Sequence, residues 1–206
     1  MHLQIRRGRR GRRPSAVLSF VLLALIAACA PGPRPSTRGV PVPEPEPGPG
    51  DADAEIAYLI SRALMVPVAG IAPLDLANSF DAPRGSRRHN AIDILAPRGT
   101  PVLAADDGRI LKLRSNSAGG ITIYALDPSE DYIFYYAHLD RYRRGLEEGD
   151  DVRRGDVLGY VGTTGNAPDH IPHLHFQLMR LVDPSRWWEG RPIDPLPFLV
   201  LPGDES

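Results

Sequence analysis

Cysteine and lysine are almost missing from this chain of 206 residues: Cys29 and Lys112 are the only examples. A single cysteine excludes an intrachain disulfide framework. Arginine outnumbers lysine 23 to 1, a GC-rich coding bias rather than a functional signal. Acidic residues are absent before Glu44, whereas Arg6, Arg7, Arg9, Arg10, Arg12 and Arg13 crowd the first thirteen positions. Beyond residue 28 the basic residues number 18 against 25 acidic ones, a net charge of −7. No basic stripe remains there to neutralise phosphates, which argues against a nucleic-acid partner. A continuous apolar run of the roughly 20 residues that a membrane span needs is also missing. Hydrophobic and charged contents of 42% and 24% exclude wholesale disorder.

What the start of the chain does contain is an address. The Arg-rich segment is followed by Ser15 to Ala28, about fourteen mostly apolar residues. That length suits a secretory h-region, about 7–15 residues behind a positive n-region, so residues 1–28 are expected to be a signal peptide. The segment ends in Ile26-Ala27-Ala28-Cys29, which resembles the lipobox of bacterial lipoproteins. The resemblance implies that the Cys29 thiol is lipidated and becomes the new N-terminus. It also implies an exported, lipid-anchored protein. Ala30 suits sorting to the periplasmic face of the outer membrane where the cell has one, and otherwise the anchor lies in the cell-surface membrane. Ala30 to Gly50 holds eight prolines and four glycines. Such a stretch cannot build a core and favours polyproline II, so residues 29–50 are expected to be a tether reaching up to about 60 Å at roughly 3.1 Å per residue. Residues 51–206 remain, enough for one domain with its own core.

The domain reads as mainly β, a compact antiparallel sandwich or barrel-like sheet with a short N-terminal helix. Asp51 and Asp53 are expected to cap that helix, which carries Ile56, Leu59, Ile60, Ala63 and Leu64 on one face and ends before Pro67. Beyond it, short apolar runs are bounded by Gly, Pro and Asp. They predict strands at Ile92–Leu95, Val102–Ala105, Arg109–Leu113, Ile121–Leu126, Ile133–Leu139, Val157–Val161 and His173–Met179. Asp107-Gly108 is expected to form a hairpin turn.

Six histidines are present, and His2 falls in the signal peptide. His173-Leu-His175 lies on a predicted strand, where residues two apart face the same side with Cα atoms about 6.6–7 Å apart. One imidazole can then ligate a metal at about 2.0–2.1 Å while the other stands within reach of a water on that metal. His89 and Asp93 lie four apart, roughly 13 Å if extended, so sharing a metal requires the chain to bend between them. A surface histidine followed by a strand-end aspartate is the plain alternative. Against it, Asp93 sits between Ile92 and Ile94, where a buried carboxylate needs a partner. His138 ends an aromatic strand and reads equally as a half-buried histidine donating to a backbone carbonyl. Taken together, these residues supply three ligands and two spare bases, the requirement of a catalytic zinc site.

His89-x-x-x-Asp93, Tyr136-Ala-His138-Leu139 and His173-Leu-His175-Phe176 occur in the order seen in the lysostaphin/LytM-type zinc peptidases of bacterial cell walls, and the chain resembles that family from about Val66 to Met179. Gly99-Thr-Pro-Val102, Asp107-Gly108, Val152 to Gly159 and Val161-Gly-Thr-Thr-Gly165 carry the same resemblance between the motifs. It implies a peptidase domain over 51–206, with a core at 66–179 and a tail at 180–206. It implies one Zn²⁺ held by His89, Asp93 and His175, with His138 and His173 as the non-ligand histidines that handle water and the transition state. Asn90-Ala91 departs from the commoner His-x-Gly, which is expected to alter loop shape while keeping the ligands. His170 matches no family position and is expected to be a solvated loop residue near the cleft.

The implied reaction is amide hydrolysis in peptidoglycan cross-link peptides by a zinc-activated water, with no glutamate base of the His-Glu-x-x-His kind. The family cuts glycine-rich or D-alanyl-diaminopimelyl bridges, and the motifs do not choose between them. Arg87, Arg88 and Arg98 stand near the first motif, where they could meet substrate carboxylates. A catalytically silent relative that activates cell-wall amidases is the main alternative, although such relatives lack ligands that are all filled here. A passive zinc-binding lipoprotein is another. A lipoyl or biotinyl carrier is suggested by Gly149 to Gly159, but it needs an acceptor lysine in a Met-Lys turn, and Lys112 follows Leu111 inside a predicted strand. Trp187-Trp188 and the Pro-rich tail read as packing across the β domain, with a groove wall as the alternative, and the sequence does not choose between them.

Overall fold

The computed structural model describes residues 49–200. The signal-peptide segment, Cys29 and all but the last two residues of the expected tether lie outside the described residues. Helix α1 spans Pro49–Arg62. It begins ahead of both expected caps, so Asp51 falls inside its first turn instead of capping it. The expected apolar face is only partly realised: Leu59 is buried, but Ile56 and Ile60 are 49% and 61% exposed. The helix stops before Ala63, whose φ of 46° turns Leu64 out of the helical path into a strand. The face that docks combines buried Leu59 with polar residues at 3.6-residue spacing. Glu55 accepts from Arg191 at 2.6 and 2.7 Å, the Tyr58 hydroxyl donates to Asp127 at 2.5 Å, and Arg62 donates to both oxygens of Asp106 at 2.7 and 2.8 Å.

The strands in chain order are β1 (Leu64–Met65), β2 (Pro83–Arg84), β3 (Arg87–Arg88), β4 (Ile92–Leu95), β5 (Pro101–Leu103), β6 (Gly108–Asn116), β7 (Gly120–Leu126), β8 (Tyr132–Tyr142), β9 (Asp151–Val152), β10 (Val157–Val161), β11 (His173–Arg180), β12 (Arg191–Ile193) and β13 (Leu199–Val200). Each of the seven expected runs overlaps one of them. Nine strands, β4 through β12, join one sheet whose pairings are all antiparallel, in the path β12-β11-β8-β7-β6-β9. Off that path, β4 pairs β11, and β10 pairs both β5 and β8.

Asp107-Gly108 does not make the expected hairpin, because β5 pairs β10 while β6 pairs β7 and β9. Asp106 is drawn inward by Arg62, and a Cβ at Gly108 would meet the Leu126 carbonyl oxygen at 2.0 Å. This glycine serves close strand approach rather than a turn. The tail is more than a cover: β12 adds to the edge of β11, β13 pairs in parallel with β1, and Trp187 packs against Tyr124 with ring centroids 4.7 Å apart.

Period-two alternation divides the central strands into a core face and a groove face. Phe134 and Tyr136 of β8, Leu174, Phe176 and Leu178 of β11, and Ile92 and Ile94 of β4 enter the main core. Each such side chain, fully buried, stabilises by about 1.5–3 kcal/mol. The one polar atom they bring, the Tyr136 hydroxyl, accepts from the Ala105 amide at 3.0 Å. The alternate residues, Asp93, Tyr135, His173, His175 and Gln177, line a groove of about 840 Å³.

Candidate functional site

The β4–β11 register places His175 opposite Asp93 and His173 opposite Leu95. Both histidines therefore lie on the groove face of β11, as their spacing predicts. His89 reaches them because Asn90 takes a φ of 57°, which supplies the bend that the four-residue separation demands. Asparagine tolerates this left-handed conformation better than other residues with a Cβ. Asn90 therefore makes the bend, and Ala91 after it is fully buried.

Three donor atoms converge. His89 Nε2 lies 3.0 Å from both His175 Nδ1 and Asp93 Oδ1, and His175 Nδ1 lies 3.1 Å from Asp93 Oδ1. Tetrahedral ligation with bonds of about 2.0–2.1 Å puts ligand atoms roughly 3.3 Å apart, so this triangle is close to the size that a zinc ion requires. The outer atoms are already committed. His89 Nδ1 donates to the Ser79 carbonyl at 2.9 Å, which turns the Nε2 lone pair inward. Asp93 Oδ2 accepts from Arg84 at 2.6 Å, which leaves Oδ1 for the triangle, and the Asp93 amide donates to Ser79 Oγ at 3.0 Å. Such outer partners fix ring and carboxylate orientation in metal sites. Burial alone would raise the Asp93 pKa, yet the adjoining His175 and His89 rings hold it well below the usual carboxylate range. Burial pushes the His175 pKa down, which favours the neutral ring that a metal needs.

His138 arrives by a different route. On β7, Ile121 and Ile123 are two residues apart, but their partners on β8, Leu139 and Tyr136, are three apart. The extra residue is a β-bulge, and His138 sits in it with a φ of 61°. Strict alternation would send His138 to the core side with Tyr136. The bulge instead lets consecutive residues Ala137 and His138 both face the groove. His138 N–H donates to the Gly119 carbonyl at 2.7 Å and its Nδ1 to the Thr164 carbonyl at 2.8 Å. The Thr164 hydroxyl bridges the Leu139 carbonyl and the Ile121 amide at 2.7 and 2.9 Å. A Cβ at Gly120 would meet Thr164 atoms at 2.2 and 2.4 Å, so this support exists only with glycine there.

The His173 Nδ1 likewise donates to a carbonyl, that of Ile171, at 2.8 Å. A ring nitrogen facing a carbonyl must carry the proton, so His138 and His173 each turn an unprotonated Nε2 elsewhere when neutral. Their centroids are 4.9 Å apart, and His173 Nε2 lies 3.8 Å from Asp93 Oδ1.

All five residues expected at the site come together. His170 is exposed and outside the cluster, although Pro168 and Ile171 beside it line the groove. Arg98 does not face the groove; it pairs with Asp140. Ser79, Arg84, Thr164 and Ile171 were missed as supports. Thr164 lies within the Gly-Thr-Thr-Gly phrase, whereas Ile171 acts through its backbone carbonyl and Ser79 through its carbonyl as well as its hydroxyl, and backbone carbonyls leave no side-chain pattern.

The model for peptidase family M23 matches residues 87–195. The chain is 33% identical over 116 residues to the glycyl-glycine endopeptidase ALE-1 of Staphylococcus capitis, covering 56% of this chain and 30% of that protein. It is 37% identical over 93 residues to the peptidoglycan DD-endopeptidase ShyC of Vibrio cholerae, covering 45% of this chain and 20% of that one. The chain thus spans less than a third of the length of either relative. The structure of lysostaphin from Staphylococcus simulans superimposes with a TM-score of 0.50 at 31% identity, covering 60% of this chain and 48% of that one.

Proposed function

Because the chain belongs to peptidase family M23, we propose that it is a zinc-dependent endopeptidase acting on amide bonds in peptidoglycan cross-link peptides. The observation that carries this reading is the inward triangle of His89 Nε2, Asp93 Oδ1 and His175 Nδ1, with two further imidazoles beside it. The donor set and its committed outer atoms fit one zinc ion, and M23 peptidases are zinc-dependent. Zinc held there would supply Lewis acidity and lower the pKa of a water to about 7.

The remaining steps fall to this chain's own residues. His173 Nε2 accepts the proton of the attacking water as that water's oxygen bonds to the peptide carbonyl carbon. The same imidazole then returns the proton to the leaving nitrogen as the C–N bond breaks. His138 carries its proton on Nδ1, toward Thr164, so its Nε2 shares the accepting duty and can donate to the oxyanion only after taking a proton. The walls of the groove hold the peptide extended along the β4–β11 surface. A silent amidase regulator accounts less well for a site with every position filled.

The address belongs to the same proposal: a signal peptide at 1–28, a lipidated Cys29 and a tether would hold the domain beside peptidoglycan at a membrane surface, the outer membrane in a cell that has one. Mass spectrometry of purified peptidoglycan after incubation with the protein tests the central claim. New peptide termini that vanish with a chelator and return with zinc are expected. Intact muropeptides from protein shown to carry one zinc would reject it in favour of the amidase regulator.

A further inference from the structure

Two arginines face each other across the β2–β3 hairpin: Arg84 and Arg87 are register partners on either side of the Gly85-Ser86 turn. Side chains directly opposite on an antiparallel pair have Cβ atoms about 4.5–5.5 Å apart, and like charges there repel. These strands are exposed and only two residues long, so packing offers little to offset that repulsion. Anions would relieve it. Arg84 has one in Asp93 at 2.6 Å, and the neighbouring Arg88 has one in Asp81 at 2.5 Å. Among the described residues the Arg87 side chain has no ion pair or hydrogen bond.

The groove itself is cationic in an acidic domain. Its lining includes Arg84, Arg87 and Arg88 against Asp93 alone, although the chain beyond residue 28 holds 18 basic and 25 acidic residues. The loop that completes the rim contributes only the uncharged Asn166, Ala167, Pro168 and Ile171 to the lining, its exposed Asp169 lying outside it. Arg87 is also close to the chemistry. The His89 amide donates to the Ala82 carbonyl at 2.9 Å, continuing the hairpin pairing by one residue. Arg87 therefore precedes His89 by one alternate position, about 6.6–7 Å along the same face. That spacing corresponds to about two residues of an extended substrate.

We infer that Arg87 is a specificity-determining residue that takes a substrate carboxylate, so that this site, read as a peptidase, acts on carboxylate-bearing stem peptides in preference to uncharged oligoglycine bridges. The inference rests on the peptidase reading for its activity readout but not for its binding readout.

The test uses two synthetic cross-link peptides, one with the diaminopimelyl carboxylate beside the scissile bond free and one with it amidated. The wild-type protein is expected to show a KM about tenfold lower for the free acid, a charge-assisted contact being worth about that factor. Arg87→Gln should remove the difference by raising KM for the acid alone, with kcat unchanged, and Arg87→Lys should restore part of it. Binding of both peptides to zinc-loaded His173→Ala, measured by calorimetry, should show the same tenfold preference. Raising the salt should weaken that preference. Equal cleavage of the two peptides by the wild-type protein would overturn the inference while leaving the peptidase reading intact. Cleavage of neither, together with a tenfold binding preference lost in His173→Ala/Arg87→Gln, would support the carboxylate site and reject the peptidase. A fall in kcat for both peptides alike in Arg87→Gln would reduce Arg87 to a structural role and overturn the inference.

Discussion

His175 on β11 stands directly opposite Asp93 on β4, with Nδ1 3.1 Å from Oδ1, and this cross-strand pair fixes where the donor triangle forms. The two histidines of the His-x-His motif share a strand face but not a role, since only His175 points a nitrogen into the triangle. His175→Ala should therefore drop the zinc content from about one per chain to near zero. His173→Ala should keep its zinc while losing turnover by about 10²–10⁴-fold, the usual contribution of a positioned acid–base group. Elemental analysis of both variants beside rates on peptidoglycan separates the roles, and full zinc stoichiometry in His175→Ala would sink the ligand assignment.

Arg84 holds the outer oxygen of Asp93 at 2.6 Å, so its contribution should appear in the affinity of the site rather than in its composition. Arg84→Gln is expected to weaken zinc binding by about tenfold or more, in line with the loss of an outer hydrogen bond to a ligand. Competition against a chromophoric chelator measures this. An unchanged dissociation constant would show that the carboxylate is oriented by the backbone of β4 alone.

Much of this site was legible because the chemistry lies on regular strands. Period-two alternation predicted that His173 and His175 share a face, and the need of Asp93 for a partner predicted that it is not an idle strand end. His138 was legible only as a motif member: alternation alone sends it to the core, and only the bulge with its φ of 61° returns it to the groove. The bend at Asn90 was required by distance, but its left-handed conformation had no signal beyond the residue type. Helix α1 was misread for a related reason. Ile56 and Ile60 look like a core stripe, yet only Leu59 of that stripe within the helix is buried, and polar contacts with Arg191, Asp127 and Asp106, residues far along the chain, accompany it.

Asp106 carries the most consequential of those contacts. Its side chain is fully shielded from solvent and accepts from Arg62 twice, from the Asp107 amide at 2.8 Å, and from Arg154 at 3.5 Å. Removing one partner of a buried pair strands the other charge and costs about 3 kcal/mol. For a chain of this size Asp106→Ala should lower Tm by roughly 6–12 °C. Asp140→Ala, which removes partly exposed pairs with Arg98 and Arg141, should cost no more than about 1 kcal/mol. Thermal melts of the two variants side by side provide the check, and equal losses would show that burial of Asp106 is not what matters.

His138 couples the fold to pH. Burial is the largest influence on its imidazole and pushes the pKa down from 6.5 to about 4, against the upward pull of the hydrogen bond to Thr164. The unfolded chain therefore takes up a proton below about pH 6.5 that the folded ring refuses until about pH 4, and stability falls as the pH drops through that window. The sign follows from the depressed value: the contribution is complete above pH 6.5 and is lost on acidification. In zinc-depleted protein, where no metal binding overlaps the titration, Tm should decline between pH 6.5 and 4. His138→Asn suits the left-handed backbone and does not titrate, so it should decline less steeply over the same range. Parallel slopes for the two proteins would mean that His138 is not the group responsible. The same measurement on Asp106→Ala, which leaves His138 untouched, should reproduce the wild-type slope at a lower Tm.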